Sequence, residues 1–330
     1  MSQPPFDVVG IGNAIVDVIS STTDRFLTDQ GLHRGAMTLI NAARAEELYR
    51  LMGPGTEASG GSVANTMAGI ASLGGSGAYI GKVADDQLGT IFRHDMRSVG
   101  VRFDSPASTT GSPTARCLIL VTPDGQRTMN TYLGACIELS PEDVDPTLIR
   151  AAKVTYLEGY LWDPPPAKQA FLKAAQIAHE ASRKVSLTLS DPFCVDRHRA
   201  GFQDLVRNHV DILFANESEI LSLYQSNTLD EAMAAVRSHC EVAVITRSEK
   251  GSLILSGGET HTVPAAPVQN VVDTTGAGDL YAAGFLYGWT KGMPLPACGR
   301  IASVAAAEVI GHYGPRPAVR LADLLGHTPA

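Results

Sequence analysis

Asp273-Thr274-Thr275-Gly276-Ala277-Gly278-Asp279 stands directly before a stretch of helical period, and its residue types suit phosphate chemistry. Two glycines and an alanine at a helix start let main-chain N–H groups approach an anion with no side chain between. The unpaired N–H groups and the positive end of the helix dipole favour phosphate oxygens there. Asp279 falls in the first turn, where a carboxylate can take a proton from an attacking hydroxyl while the amides hold charge on a transferred group. An ordinary helix cap would use Asp273, Thr274 and Thr275 in the same way, but a cap does not require Gly-x-Gly-Asp.

A second pattern, Gly60-Gly61-Ser62-Val63-Ala64-Asn65, also opens a helix. The glycines let amides come close to a polar substrate, and Asn65, one turn on, can offer its amide to a hydroxyl. A plain Gly-Gly-Ser turn is the competing reading. The third pattern is Asn13 with Asp17. Asp17 interrupts the apolar run Ile15–Ile19, where a lone buried carboxylate is costly without partners. The two hydroxyls of a ribose would satisfy it; a strand-edge Asp facing water is the other possibility.

Other chemistries are absent from the pattern. Gly10-Ile11-Gly12 is followed by Ile15 where a dinucleotide fingerprint needs its third glycine. Gly81-Lys82 has Ser76 in place of the upstream glycine of a phosphate loop and Val83 after the lysine. No H-E-x-x-H helix or G-x-S-x-G elbow is present, and the histidines are scattered enough to be surface or structural. A net charge of -8 without a Lys/Arg run argues against nucleic-acid or anionic-membrane binding. The five cysteines stand far apart, as reduced thiols do. No basic-then-apolar leader and no apolar run of roughly 18 residues appear, so the expected compartment is the cytoplasm.

The elements that must position these residues follow from the periodicity. Strand-length apolar runs at Phe6–Ile11, Ala78–Val83, Val154–Glu158, Val185–Leu189, Asp211–Phe214 and Val242–Thr246 alternate with helical stretches. The helical stretches include Ser62–Leu73, Ala167–Ala181, Leu229–Cys240, Gly276–Lys291 and Pro296–Ile310. Continuous apolar strands between helices predict a parallel sheet covered on both faces. Two segments break the rhythm. Residues 14–40 carry Ile15–Ile19 and Met37–Ile40, and residues 104–135 carry Cys117–Val121 and Thr128–Leu133 around a Pro123-Asp124-Gly125-Gln126 bend. These predict a small β-sheet lid, leaving 1–13, 41–103 and 136–330 to a large α/β unit.

With those residues in view the chain resembles the ribokinase-like (PfkB) carbohydrate and nucleoside kinases, and within them the adenosine kinase branch. The heptapeptide 273–279 and the Gly60-Gly61-Ser62 to Gly81 region carry the family. Gly12-Asn13 with Asp17, Leu189–Phe193, and Val210–Phe214 followed by Asn216-Glu217-Ser218-Glu219 resemble the branch. The resemblance spans about residues 6–318 and implies a three-layer α/β/α ribokinase-like domain with the substrate held under the lid. It implies ATP and Mg2+, with Asp279 as base and Gly276, Ala277 and Gly278 as the anion hole. Asp17 would bind ribose hydroxyls, assisted by Asn13, Gly60, Gly61, Ser62 and Asn65. Ile15, Leu39, Cys117, Met129, Thr131 and Leu161 would line the base pocket, and Arg127 would lie near the transferred phosphates. Asn216 and Glu219 would arrange magnesium through water. Thr246, Gly251 and Thr275 would contact the nucleotide, and Asp273 with Thr275 could hold potassium. Two positions depart from the pattern: Thr275 stands where eukaryotic adenosine kinases usually have Asn, and Ser248 replaces a glycine of the T-x-G-x-x-G stretch.

The expected activity is transfer of the ATP γ-phosphoryl group to the 5′-hydroxyl of adenosine. A sugar kinase or another nucleoside kinase is the nearest alternative, and a non-catalytic nucleotide-binding regulator the alternative of another class. The expected partner is the small-molecule acceptor, and the expected assembly a monomer or homodimer.

Overall fold

The computed structural model describes residues 5–109 and 111–326. Residues 1–4, 110 and 327–330, included in the expected domain ranges, lie outside the described residues.

Alternation along each strand builds the architecture. The large sheet takes β1 (Phe6–Ile11), β5 (Gly77–Ile80), β6 (Val101–Arg102), β9 (Ala152–Glu158), β10 (Lys184–Thr188), β11 (Ile212–Asn216), β12 (Val242–Thr246), β13 (Ser252–Ser256) and β14 (Glu259–Val263). Their order is β14-β13-β12-β11-β10-β9-β1-β5-β6. The strands from β12 to β6 are parallel, as continuous apolar runs predict. Because successive side chains point to opposite faces, Val9, Ile11, Leu157, Leu213 and Ile245 enter one core while Val8, Tyr156, Ile212, Phe214 and Val244 enter another. Helices Pro165–Glu180, Pro192–His209 and Glu217–Tyr224 cover the first face. Helices Ser62–Ser72, Gln87–Ser98, Ala277–Thr290 and Leu295–Val309 cover the second, completing three layers.

The second sheet, in the order β3-β8-β7-β2-β4, is the expected lid. It contains β2 (Ile15–Ser21), β3 (Met37–Leu39), β7 (Ala115–Val121) and β8 (Arg127–Tyr132), with β7 and β8 antiparallel across the Asp-Gly bend. Its fifth strand, β4 (Gly55–Gly60), corrects an expectation, since residues 41–60 were assigned to the large unit. Gly55-Thr56-Glu57-Ala58-Ser59-Gly60 has no large apolar residue to reveal a strand, and its pairing comes from the β2 backbone opposite. The helix Ala42–Leu51 likewise belongs to the lid. Its Leu48 packs with Val18, Leu118 and Leu120 on the sheet's outer face. The described residues of 104–114 contribute no lid strand; Thr114 and Ser108 tie this stretch to Asp86 and Ala84 of the large unit. The β13–β14 hairpin, turning at Gly257-Gly258, was also unexpected, and the helix from Leu229 ends at Val236 rather than Cys240.

Leu118 is fully buried in the lid's outer core. Leu118→Ala is expected to cost about 2–5 kcal/mol in urea unfolding, as leucine deletions from tight cores do. A loss below about 1 kcal/mol would mean that this core is not closely packed.

Candidate active site

Two helix starts meet at one carboxylate. The helix Ala277–Thr290 begins after Gly276, whose φ of 81° lies in the left-handed region that glycine tolerates. A Cβ there would fall 2.7 Å from Pro315, so the turn is pressed against the 314–316 segment. Gly278 has open space where a side chain would stand, leaving the turn's amides accessible. Asp279 Oδ1 accepts from Ser62 Oγ at 2.6 Å, and its Oδ2 accepts from Asn65 Nδ2 at 3.0 Å. Thr66 Oγ1 also donates to the Asp279 carbonyl at 3.0 Å. Burial pushes the Asp279 carboxyl above the ordinary range, and the Ser62 and Asn65 bonds oppose that rise. A carboxylate held at a helix start beside open amides is an arrangement suited to activating a hydroxyl next to an anion.

The lid supplies the opposite wall. Register places Asp17 beside Cys117, Cys117 beside Thr131 and Thr131 beside Leu39, giving one transverse row on the inner face. Ile119, Met129 and Met37 form the next row. Both rows and Ile15 line a cavity of about 720 Å³ whose floor holds Asn13, Gly61, Ser62, Asn65, Asp279 and the turn 274–278. Asp17 makes no hydrogen bond or ion pair among the described residues, and burial pushes it to about 7, opposed mainly by Arg316 and Arg127. Room for its carboxylate comes from Gly60, where a Cβ would fall 2.4 Å from Asp17 Oδ2.

Glu158, at the end of β9, was not anticipated. Its carboxylate accepts from Asn13 Nδ2 at 2.7 Å, from the Asn13 amide at 3.3 Å and from the Val63 amide at 3.1 Å. These bonds turn Asn13 Oδ1 away from Glu158 and tie the β1–β2 connection to the Ser62–Ser72 helix. Burial pushes Glu158 to about 7, with Asp279 adding to the rise. The signal available in the sequence was an acidic residue closing an otherwise apolar strand.

The structure brings most of the expected residues together. Asn13, Ile15, Asp17, Leu39, Gly61, Ser62, Asn65, Cys117, Met129 and Thr131 all line the cavity, as do Asn216, Glu219, Thr246, Thr275 and the turn. Leu161 does not: it is 1% exposed in the core with Trp162 and Leu189, and Tyr160 and Asp163 reach the cavity instead. The 3-10 turn Gly159–Trp162 sets that phase. Gly251 is also absent from the lining; it packs against the Val263 carbonyl at a tight turn. Arg127 lies behind the wall, its Nη2 2.6 Å from Asp273 Oδ2. Asp273 accepts further bonds from the Thr275 amide and hydroxyl and from the Gly314 amide. Four donors saturate that carboxylate, so its side chain does not fit as a potassium ligand. Asn216 and Glu219 cap their helix reciprocally, with Glu219 pushed to about 7 by burial. Glu219 keeps lone pairs beside the cavity, which fits a water-mediated magnesium site.

The family model for pfkB family carbohydrate kinases matches residues 36–320. The chain belongs to this family. It is 54% identical to the adenosine kinase of Sinorhizobium meliloti, with a TM-score of 0.91 and 98% and 99% of the two chains covered. It is equally identical to a probable sugar kinase protein from Rhizobium etli CFN 42, with a TM-score of 0.92 and the same coverage. Among curated relatives it is 29% identical to the adenosine kinase of Saccharomyces cerevisiae, with 93% of this chain and 96% of that protein covered. It is also 29% identical to a 5-dehydro-2-deoxygluconokinase of Geobacillus thermodenitrificans, with 94% and 89% covered. This pfkB kinase is an ATP-dependent phosphotransferase with a hydroxyl acceptor and a ribokinase-like fold. No helix among its described residues is long and apolar enough to cross a membrane.

Burial pushes both Asp17 and Glu158 to about 7, well above the ordinary carboxylate range. The acid limb of kcat/KM for the acceptor is therefore expected to have its midpoint at about 7; a midpoint below about 5 would contradict the buried site. The stability sign is opposite. A carboxyl raised by folding keeps a proton that the unfolded chain releases, so its contribution is complete below about 4 and declines as pH rises through about 7. Glu158→Gln is expected to flatten that decline in melting scans between pH 5 and 8 and to lower kcat/KM about 10–100-fold. An unchanged pH slope would remove Glu158 as a titrating group.

Proposed function

We propose that the chain phosphorylates the 5′-hydroxyl of adenosine with ATP, releasing AMP and ADP. The observation that carries this reading is the two-sided cavity, in which the lid's apolar side chains and its unpartnered Asp17 face a floor bearing the clamped Asp279. A purine would bury Ile15, Leu39, Ile119 and Met129 from water, while its ribose would bring two hydroxyls to Asp17. A free sugar would set hydroxyls against those aliphatic groups with no partner for them, a costly arrangement. The cavity's volume is also in the range that accepts a ligand of nucleoside size.

In this reading Asp17 accepts from the ribose hydroxyls, and Asn13 Oδ1, freed by Glu158, accepts a further bond. Asp279 takes the proton from the 5′-hydroxyl as that oxygen attacks the γ-phosphorus in line. The Gly276–Gly278 amides and the helix start hold the charge on the transferred group. Arg127, buried against Asp273 and Thr275, braces the turn from behind. Asn216 and Glu219 would hold magnesium through water, and the bound ion supplies counter-charge to the phosphates. A second cavity of about 600 Å³, lined by Val268, Asn270, Val304, Ala307 and Leu324, is assigned to the donor's base. It adjoins the loop that enters the turn, since the Val272 and Asp273 amides both donate to the Ile310 carbonyl. The reaction is placed in the cytoplasm.

ADP release measured with adenosine, inosine, guanosine, ribose and fructose tests the acceptor. Adenosine is expected to give the highest kcat/KM, and turnover of a free sugar without adenosine would overturn the assignment. Asp279→Asn is expected to lower kcat by ~10²–10⁴ with ATP binding retained. Wild-type turnover in that variant would remove the base.

A further inference from the structure

We propose that Arg316 is a positioning residue of the acceptor site, fixing the Asn65 amide toward Asp279 and acting as counter-charge to the Asp17 carboxylate. Neither motif at 60–65 nor at 273–279 contains it, and it is 251 residues from Asn65 in the chain. The inference rests on Asp279 and Asp17 serving the hydroxyl acceptor.

Three consecutive residues before and at this position touch the site. The Gly314 amide donates to Asp273 Oδ2 at 3.0 Å, Pro315 presses on Gly276, and Arg316 Nε donates to Asn65 Oδ1 at 3.4 Å. An arginine has no acceptor atom, so the Asn65 oxygen must face it and the Asn65 NH2 must face Asp279. Flipping the amide would set donor against donor at Arg316 and acceptor against acceptor at Asp279. The one-way bond thus gives Asn65 a single orientation.

An arginine that is half withdrawn from solvent is usually paired. Arg316 makes no ion pair among those found in the described residues, and its other contact is Nη2 to Met96 Sδ at 3.5 Å. Its charge instead acts over longer range on Asp95 of the Gln87–Ser98 helix, Asp17 of β2 and Tyr79 of β5. Asp95 is occupied by the Ser59 amide, whereas Asp17 has no such bond. Asp17 also feels Arg127 from β8, Asp279 from the helix start and Cys117 beside it on β7. Among these Arg316 is the largest influence favouring the ionised form, which is the form that can accept from two hydroxyls.

Arg316→Met keeps length and apolar packing but removes donors and charge, and Arg316→Lys restores charge without the planar fork. With saturating ATP and whichever acceptor the wild type turns over, the Met variant is expected to lose about 10²-fold in kcat/KM. Its acid limb is expected to move up by about one pH unit, with KM for ATP unchanged. The Lys variant is expected to return the acid limb toward the wild-type position and regain about tenfold in rate. Combining Arg316→Met with Asn65→Ala is expected to cost far less than the sum of the two losses. Equal losses in Met and Lys with a wild-type acid limb, or additive losses with Asn65→Ala, would overturn the proposal. Should the Met variant fail to fold, the Lys variant's limb and rate decide alone. A wild type inert toward every acceptor, or an Asp279→Asn variant as active as wild type, would instead sink the acceptor-site reading itself.

Discussion

Burying the Asp279 carboxylate would be prohibitive without donors, and the donors come from a different helix more than two hundred residues away in the chain. The Ser62 hydroxyl and the Asn65 amide are one turn apart on the same face, so one helix grips both oxygens. Thr66, one residue further on, fastens the Asp279 carbonyl and fixes the two helices in register. The rest of the site is arranged around this grip. Glu158 holds the first turn of the gripping helix through the Val63 amide, and Pro315 holds the turn that precedes the gripped residue. Several polar bonds thus converge where the chain can least tolerate an unsatisfied charge.

Electrostatics give the cavity its character. Asp17, Glu158 and Asp279 share one low-dielectric space, and each is disfavoured as an anion by burial, with Asp279 adding to the difficulty of the other two. The positive influences are indirect: a helix start, Arg127 tied to Asp273, and Arg316 tied to Asn65. A bound acceptor that donates hydroxyls to these carboxylates relieves part of the cost, so polar recognition and relief of strain in the charge distribution coincide.

Much of this was legible in the sequence because the relevant signals are local. The heptapeptide 273–279 encodes a helix start by composition alone, and the period-2 placement of Ile15 and Asp17 against Val16 and Val18 encodes a strand with two unlike faces. The Asp-Gly bend fixed the β7–β8 hairpin. What escaped notice depends on partners distant in the chain. β4 pairs through its backbone and carries no apolar pattern. Glu158 reads as a strand's last residue until Asn13 and Val63 are seen to meet it. The resemblance implied a pocket place for Leu161, but the 3-10 turn that carries it points this side chain into the core and brings Tyr160 and Asp163 to the cavity. Gly251 was assigned to the nucleotide from a motif, whereas its positive φ serves a turn.

Two of the polypeptide's passages between the large sheet and the lid lie at Asn13, where β1 gives way to β2, and at Gly61, where β4 gives way to a helix. Both residues line the cavity between the lid and the Asp279 turn. A change in the angle between the two sheets would therefore change the cavity wall at these same residues. The other interior-row side chains, Leu39, Met129 and Ile119 among them, belong to neither passage. Replacing them would reshape one wall of the cavity while leaving untouched the bonds from Ser62 and Asn65 that hold Asp279.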